Sequence, residues 1–411
     1  MQVAVVGGGP AGMAAAIEAK KAGAQEVILI ERAERLGGVL PQCIHTGFGV
    51  SFFGQDLTGP EFAQRQEDEV SRLGVDAWLN AMVIEAAPDR TLVVSTRQGL
   101  RRLQPDALIF AVGARERPRG AIAIPGDRPA GIFSAGTAQY MTNIQGLQVG
   151  REILVLGSGD IGMIMARRFT LEGLKVHAVL ELMPFAGGLT RNVQQCLRDY
   201  DIPLHLSCTV VNVRGRGRVR EVVAARVDQN LNPIPATERS YAVDTLVLSV
   251  GLLPEVELLK QVGLTILPQT GGPAVDQTFA SDIPGIYVVG NGMAIWDLAD
   301  NVAQSAIIAG RAATSGKPGR GEARIEPGPG IRLVVPQRWQ VEPTACTLSF
   351  RVTQPVLGVR IRLKRGAQLL ARKRYLALRP AEMGEWTIPA DILSKVEPGD
   401  LLTLELEERR E

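Results

Sequence analysis

The chain has 411 residues, 45% of them hydrophobic and 21% charged, with a formal net charge of +2, the balance of a folded globular protein long enough for two or three domains. Disorder as the main state is excluded, and so is a binder of nucleic-acid phosphates, because no basic run dominates and only 5% of residues are aromatic. No apolar run reaches the ~18 residues of a membrane span, the opening MQVAVVGGG lacks a cationic leader, and four scattered cysteines without C-x-x-C spacing imply a reducing, cytoplasmic setting.

In chain order, the apolar run Val3–Val6 predicts a buried strand. It is followed by Gly7-Gly8-Gly9-Pro10-Ala11-Gly12, a helix pattern to about Gly23, and a second strand, Val27–Ile30, ending in Glu31. This is the dinucleotide-binding pattern. Gly7 permits the tight turn, Gly9 lets backbone approach a pyrophosphate, and Gly12 lets the helix pack against the strand. Pro10 and Ala11 complete the cofactor turn, and Glu31 is placed to accept hydrogen bonds from a ribose. Gly38 opens a glycine-containing loop that leads to Cys43 and His45. The strand Asp106–Gly113 closes the unit.

The pattern then repeats. Glu152–Leu156 leads into Gly157-Ser158-Gly159-Asp160-Ile161-Gly162, a helix pattern to Gly173, and Val176–Leu180 ending in Glu181. In both copies the acid lies 24 positions after the first glycine. The second closing strand, Asp244–Gly251, matches the first in its offset of seven from Asp to Gly. Gly157, Gly159, Asp160, Ile161, Gly162, Glu181 and Gly251 are therefore assigned to a second nucleotide, as Gly38 and Gly113 are to the first. A carboxylate at Glu181, followed by Leu182 and Met183 and no arginine, favours NAD(H) over NADP(H).

A third strand, Gly285–Asn291, precedes a helix from about Leu298 to Ala313, whose first turn is read to hold Asp297 and Asp300 as caps in preference to cofactor contacts. Thr314–Gly330, rich in Gly, Pro and Arg, reads as a linker. From Ile331 the texture changes to period-two alternation, Val359, Ile361 and Leu363 against Arg360, Arg362 and Lys364, which predicts a small β domain. Arg214, Arg216, Arg218 and Arg220 read as a solvated hairpin face; Arg372, Lys373 and Arg374 are the better docking candidate, with a solvated face as the equal alternative. His177 and His205 have no ligand partners at useful spacing, so no metal site is expected.

Residues 1 to about 318 resemble the two-dinucleotide-domain FAD/NAD(P) oxidoreductases, in the branch nearest thioredoxin reductase: GGGPAG matches the FAD unit, GSGDIG the nicotinamide unit, and GIYVVGN the late FAD motif. The resemblance implies that Asn291, where the family commonly has Asp, contacts the flavin ribityl chain, and that the helix beginning around Asp297 points its positive end at the flavin. LGGVLPQCIHTGFG (36–49), DLTGPEF (56–62), VGARERPRGAIAIPG (112–126) and GGLTRN (187–192) resemble the FAD/NAD-binding subunit that accompanies glycerol-3-phosphate-dehydrogenase-like flavoproteins and NADH oxidases. ARERPR is similar to amine- and imino-acid-oxidising complexes of the sarcosine oxidase and cyanide synthase kind.

The implied fold class is α/β, with two Rossmann-like dinucleotide-binding domains and a small C-terminal all-β domain. The implied limits are 1–115 and 253–318 for the FAD domain, 116–252 for the NAD(H) domain, 319–330 for the linker and 331–411 for the β domain. The implied cofactors are FAD and NAD(H), and the implied partner is a second flavoprotein subunit or another copy of the chain, with no nucleic acid. The implied reaction is hydride transfer from NADH to flavin N5, followed by electron relay to a partner. Two other readings stay open. One is a self-sufficient NADH oxidase or peroxidase in which Cys43, with His45 nearby in sequence, cycles through a sulfenic acid; the other is a non-catalytic, nucleotide-binding member of an assembly. Cys43 lies where disulfide reductases of this superfamily carry a redox pair, but it is single, so the favoured reading is a buried, unreactive thiol.

Overall fold

The computed structural model describes residues 1–315, 321–342 and 344–407. The chain divides into two compact units, Met1–Ala114 with Pro254–Glu411, and Arg115–Leu253.

The first unit is built on a parallel sheet in the order Ile286–Val288, Ala107–Phe110, Gln2–Val6, Glu26–Ile30, Asp76–Trp78. These strands are nearly continuous apolar runs, buried on both faces, so alternation is absent. The helices Pro10–Lys21 and Ala299–Ser315 pack so closely that a side chain on Gly310 would run into the Ala15 carbonyl. A three-stranded antiparallel sheet, Met82–Ala86, Leu92–Thr96 and Gly99–Leu103, is inserted before the closing strand.

The second unit repeats this plan. Its parallel sheet runs Ile132–Ser134, Thr245–Leu248, Glu152–Leu156, Lys175–Leu180, Leu204–His205. Its antiparallel insertion is Cys208–Arg214, Glu221–Arg226 and Arg239–Tyr241. The edge strand beside the closing strand comes late in the chain in the first unit and early in the second.

The C-terminal part of the first unit consists of two sheets. One is ordered Arg338–Gln340, Glu322–Pro327, Leu401–Leu406, Val356–Arg365, Gln368–Leu378; the other is Ile331–Val335, Cys346–Val352, Gly384–Ile388. Their inner residues, among them Trp339, Phe350, Ile361 and Leu404, share one core. Leu333, Val335 and Met383 instead join the core of the nucleotide-binding part.

The structure revises three sequence expectations. Of the 319–330 linker, residues 319–320 lie outside the described residues and Glu322–Pro327 is a strand, because Ala323 and Ile325 are buried at period two and Arg324–Pro327 pair in parallel with Leu401–Leu404. The last helix begins at Ala299, after Asp297. Within the basic hairpin, Arg218 is not simply solvated, since its guanidinium donates to the Val149 carbonyl and to Thr245 Oγ1 (2.8 Å).

Candidate functional site

In the first unit the helix Pro10–Lys21 starts directly from the glycine turn, with Gly9 as its N-cap and Pro10 at its first position, where the missing N–H costs nothing. Gly7 has φ +107°, and a Cβ there would run into the Ala111 carbonyl oxygen. A Cβ on Gly12 would run into the Gly7 carbonyl. Both glycines are thus explained by packing. Gly9 is not. Its φ of −75° suits any residue, and a Cβ would come no closer to the protein than 3.9 Å, to Gly38 Cα. The space above Gly9 is the cradle that a pyrophosphate requires at a helix N-terminus.

Glu31 is buried at the end of the second strand, with Oε2 accepting from Gly8 N–H (2.6 Å) and Oε1 from Ala33 N–H (2.8 Å). The carboxylate therefore ties the glycine turn to the loop that carries Gly38. A Cβ on Gly113, φ +73°, would meet nothing within 4 Å, so this glycine too faces open space. A Cβ on Gly290 would touch Ala11 Cβ at 3.0 Å, and one on Gly292 would lie 3.5 Å from Gly113 O. The Asn291 segment is thereby brought to the glycine turn and to Gly113, although Asn291 Oδ1 accepts from Trp296 N–H (2.9 Å). Trp296 is buried with no hydrogen-bond partner for Nε1, and Gln66 Oε1 is likewise unpaired. Orphaned buried polar atoms at this end of the unit fit a polar group supplied by a bound cofactor.

The two aspartates near the last helix do not act as its caps. Asp300 is buried and accepts from Gly49 N–H, Ser51 N–H and Phe52 N–H, each at 2.9 Å, so it clamps the loop after His45. Asp297 precedes the helix, lies 3.5 Å from the Arg351 guanidinium and accepts from Met383 N–H (3.3 Å). Arg351 also donates to Ile295 O (3.3 Å) and Pro380 O (2.7 Å), so a residue of the β region fixes the segment following Asn291.

Cys43 is buried; its Sγ donates to Val39 O (3.4 Å), and its carbonyl accepts from Gly59 N–H (2.9 Å). His45 Nδ1 lies 2.9 Å from Thr46 O, and its ring is 5.1 Å from that of Phe48. Burial pushes the Cys196 and Cys208 thiols up, and that of Cys346 up to about 12, which keeps all three protonated and unreactive. Among the described residues no cluster of three His, Cys, Asp or Glu side chains could hold a metal.

The second unit reproduces the acid's geometry. Glu181 Oε2 accepts from Ser158 N–H (2.9 Å) and Oε1 from Met183 N–H (2.9 Å), at the same chain offsets as Glu31. Gly157 and Gly162 are explained by packing on Ser249. Gly159 is more confined than Gly9, since a Cβ would lie 3.1 Å from Ser249 Oγ. Four contacts are new. Ser158 Oγ donates to Glu181 (2.6 Å) and accepts from Gly187 N–H (2.8 Å); Asp160 Oδ1 accepts from Leu189 N–H (2.8 Å) and Asn192 Nδ2 (2.6 Å). Asp160 thus engages its own chain, Ile161 packs against the core, and Gly251, φ +98°, has nothing within 4 Å. Sequence reasoning missed the Gly-Gly doublet that stands six residues after Glu31 and again six after Glu181, a repeat visible in the sequence.

Residues 1–313 match the pyridine nucleotide-disulphide oxidoreductase family. The chain belongs to that family. Its members use FAD and NAD(P)H, and the open cradle at Gly9 fits the first of these. Hydrogen cyanide synthase subunit HcnB of Pseudomonas aeruginosa is 28% identical over 63% of this chain and 59% of its own length. An NAD(P)H sulfur oxidoreductase (CoA-dependent) of Pyrococcus abyssi is 26% identical over 70% of this chain and 62% of its own length. An opine oxidase subunit of Agrobacterium tumefaciens is 26% identical over 75% of this chain and 63% of its own length. The chain therefore spans about three fifths of these relatives. The fold matches T. acidophilum thioredoxin reductase with a TM-score of 0.61 at 20% identity, over 76% of this chain and 97% of that one. The mixed α/β class with two dinucleotide-binding domains and a strand-rich C-terminal region is established by these matches. No helix among the described residues is long and apolar enough to cross a membrane.

Proposed function

We propose that the chain is the electron-transferring subunit of an NADH-oxidising flavoprotein complex. The observation that carries this reading is the duplicated acid: Glu31 and Glu181 each hold the N–H of a glycine turn and the N–H two residues onward, giving one chain two matched dinucleotide cradles. A bound FAD would supply the chemistry of accepting a hydride from a reduced nicotinamide and passing on its electrons. The chain's own residues bind and orient. Gly9, Gly38, Gly113 and the Asn291 segment line the first cradle, and Glu31 fixes its turn. Gly159, Glu181 and Gly251 line the second. The buried Glu181 carboxylate would oppose a 2′-phosphate, which supports NADH over NADPH. Arg351 and Asp297 hold the segment after Asn291 in place from the β region.

Electron transfer to a partner protein is supported by two relatives that are themselves named as subunits. The partner we favour is a second flavoprotein of the glycerol-3-phosphate-dehydrogenase-like kind, as the 36–49 and 112–126 stretches imply. Anaerobic titration of the FAD-loaded chain with NADH and with NADPH, followed in the visible flavin band, tests the proposal. Prompt bleaching by NADH and slower bleaching by NADPH is the expected result. Bleaching by neither would sink the enzyme reading of this chain. Cys43→Ser should leave both the bleaching and any peroxide turnover unchanged, because the thiol is buried against Val39 O; loss of peroxide turnover would restore the peroxidase reading.

A further inference from the structure

The outer face of the C-terminal five-stranded sheet carries a charge arrangement that folding does not explain. Strands Val356–Arg365 and Gln368–Leu378 pair antiparallel, with Arg360 opposite Arg374 and Arg362 opposite Arg372. Ile361 and Leu363 alternate with these residues and are fully buried, so the four guanidinium groups share the opposite, solvent-facing side. Like charges directly across a strand pair oppose sheet formation. The arginines of the first strand are compensated, Arg360 by Glu407 at 3.6 Å and Arg362 by Glu405 at 2.8 Å. Arg372 and Arg374 are exposed and have no acidic partner among the described residues.

Two further features lie beside them. Gln368–Leu378 is the last strand of its sheet and 11 residues long, so its outer N–H and C=O groups face no strand among the described residues. Leu376, on the arginine face, is 84% exposed, and its place lies between the Leu357–Ala377 and Val359–Tyr375 pairs, where the neighbouring strand has only Gly358 to cover it.

The geometry points to this edge and face as the docking surface for an acidic protein partner that lays an extended acidic segment along Gln368–Leu378. Unpaired backbone groups are satisfied by another polypeptide backbone, with arginine and leucine side chains adding charge and apolar contact. A single-stranded nucleic acid would stack its bases on aromatic side chains, whereas Tyr375 turns to the other side and donates to Glu385 O (2.8 Å). A lipid surface offers nothing to the strand's backbone groups. The inference does not depend on what the nucleotide units bind.

The test uses the full, FAD-loaded chain and labelled poly-glutamate, with phosphatidylserine vesicles and a single-stranded oligonucleotide alongside. Poly-glutamate should bind in a salt-sensitive way and protect the amides of Gln368–Leu378 from hydrogen exchange. Arg372→Ser/Arg374→Ser should weaken it about three- to tenfold, the worth of two exposed ion pairs. The same variant should melt no lower than the parent, because it removes two like-charge cross-strand pairs. Absence of poly-glutamate binding, equal binding by the variant, protection elsewhere, or tighter retention on vesicles or oligonucleotide would each overturn the inference.

Discussion

The two nucleotide-binding units share a sheet order and an acid-to-turn geometry, yet they differ in how the turn is finished. In the first, Gly-Gly-Gly-Pro leaves the cradle bare, with Gly38 Cα as the nearest atom to a Cβ on Gly9. In the second, Gly-Ser-Gly-Asp fills the same region with side-chain contacts, Ser158 to Gly187 and Asp160 to Leu189 and Asn192. A duplicated backbone plan can thus serve a site left open and a site strapped by its own loop. The ligand preference of each lies in the turn's side chains more than in its fold.

The largest expected effects come from glycines within the first turn. Gly12→Ala should cost about 3 kcal/mol and cause loss of FAD, because its Cβ meets a carbonyl that cannot move. Gly9→Ala should keep or slightly raise stability, by up to about 1 kcal/mol, since its φ is already ordinary. It should nonetheless lose FAD. Thermal melts read with flavin content separate the two, and FAD retained in Gly9→Ala would show that the cradle is elsewhere. Next in size, Glu31→Gln should destabilise the first unit by about 2 kcal/mol, as the amide can accept from only one of its two backbone donors. Glu181→Gln should cost less, because Ser158 Oγ can reverse its hydrogen bond. Equal losses in urea unfolding would remove that distinction.

Most of the fold was legible because its signals are local. Apolar runs, glycine turns and the acids at Glu31 and Glu181 lie within short windows, and the second copy checks the first. The strand Glu322–Pro327 was hidden by the Pro and Gly that flank it, although Ala323 and Ile325 carry the alternation. Asp300 and Arg351 could not be assigned from sequence. Asp300 clamps a loop some 250 positions away, and Arg351 reaches Ile295 and Asp297 from another sheet. Only packing sets such partners, and no spacing rule reports them.

A smaller effect is expected at Asp160, which corresponds to Pro10 in the first unit. It places a carboxylate in the first turn of the helix Asp160–Leu171, where a pyrophosphate would bring its own negative charge. Asp160→Asn retains an oxygen to accept from Leu189 N–H and removes the charge. NADH affinity, measured by fluorescence quenching, should tighten about three- to tenfold at low salt, and the gain should shrink as salt rises. Unchanged or weaker affinity would mean that the strap, and not its charge, governs the second cradle.

The smallest effect separates the units by pH. His205 lies at the end of the edge strand Leu204–His205, and burial, then the Arg239 charge, lowers its pKa below the ordinary value. The matching strand of the first unit, Asp76–Trp78, has no histidine. A lowered histidine pKa means that the unfolded chain takes up the proton first. Stability is therefore complete above the unfolded value of about 6.5 and declines as pH falls through it toward the folded value. The second unit should lose stability between neutral and mildly acidic pH, and His205→Gln should abolish that decline without changing stability at pH 8. Hydrogen exchange on the amides of Lys175–Leu180, which pair with this strand, reads the second unit alone. A decline that persists in His205→Gln would assign it to other groups.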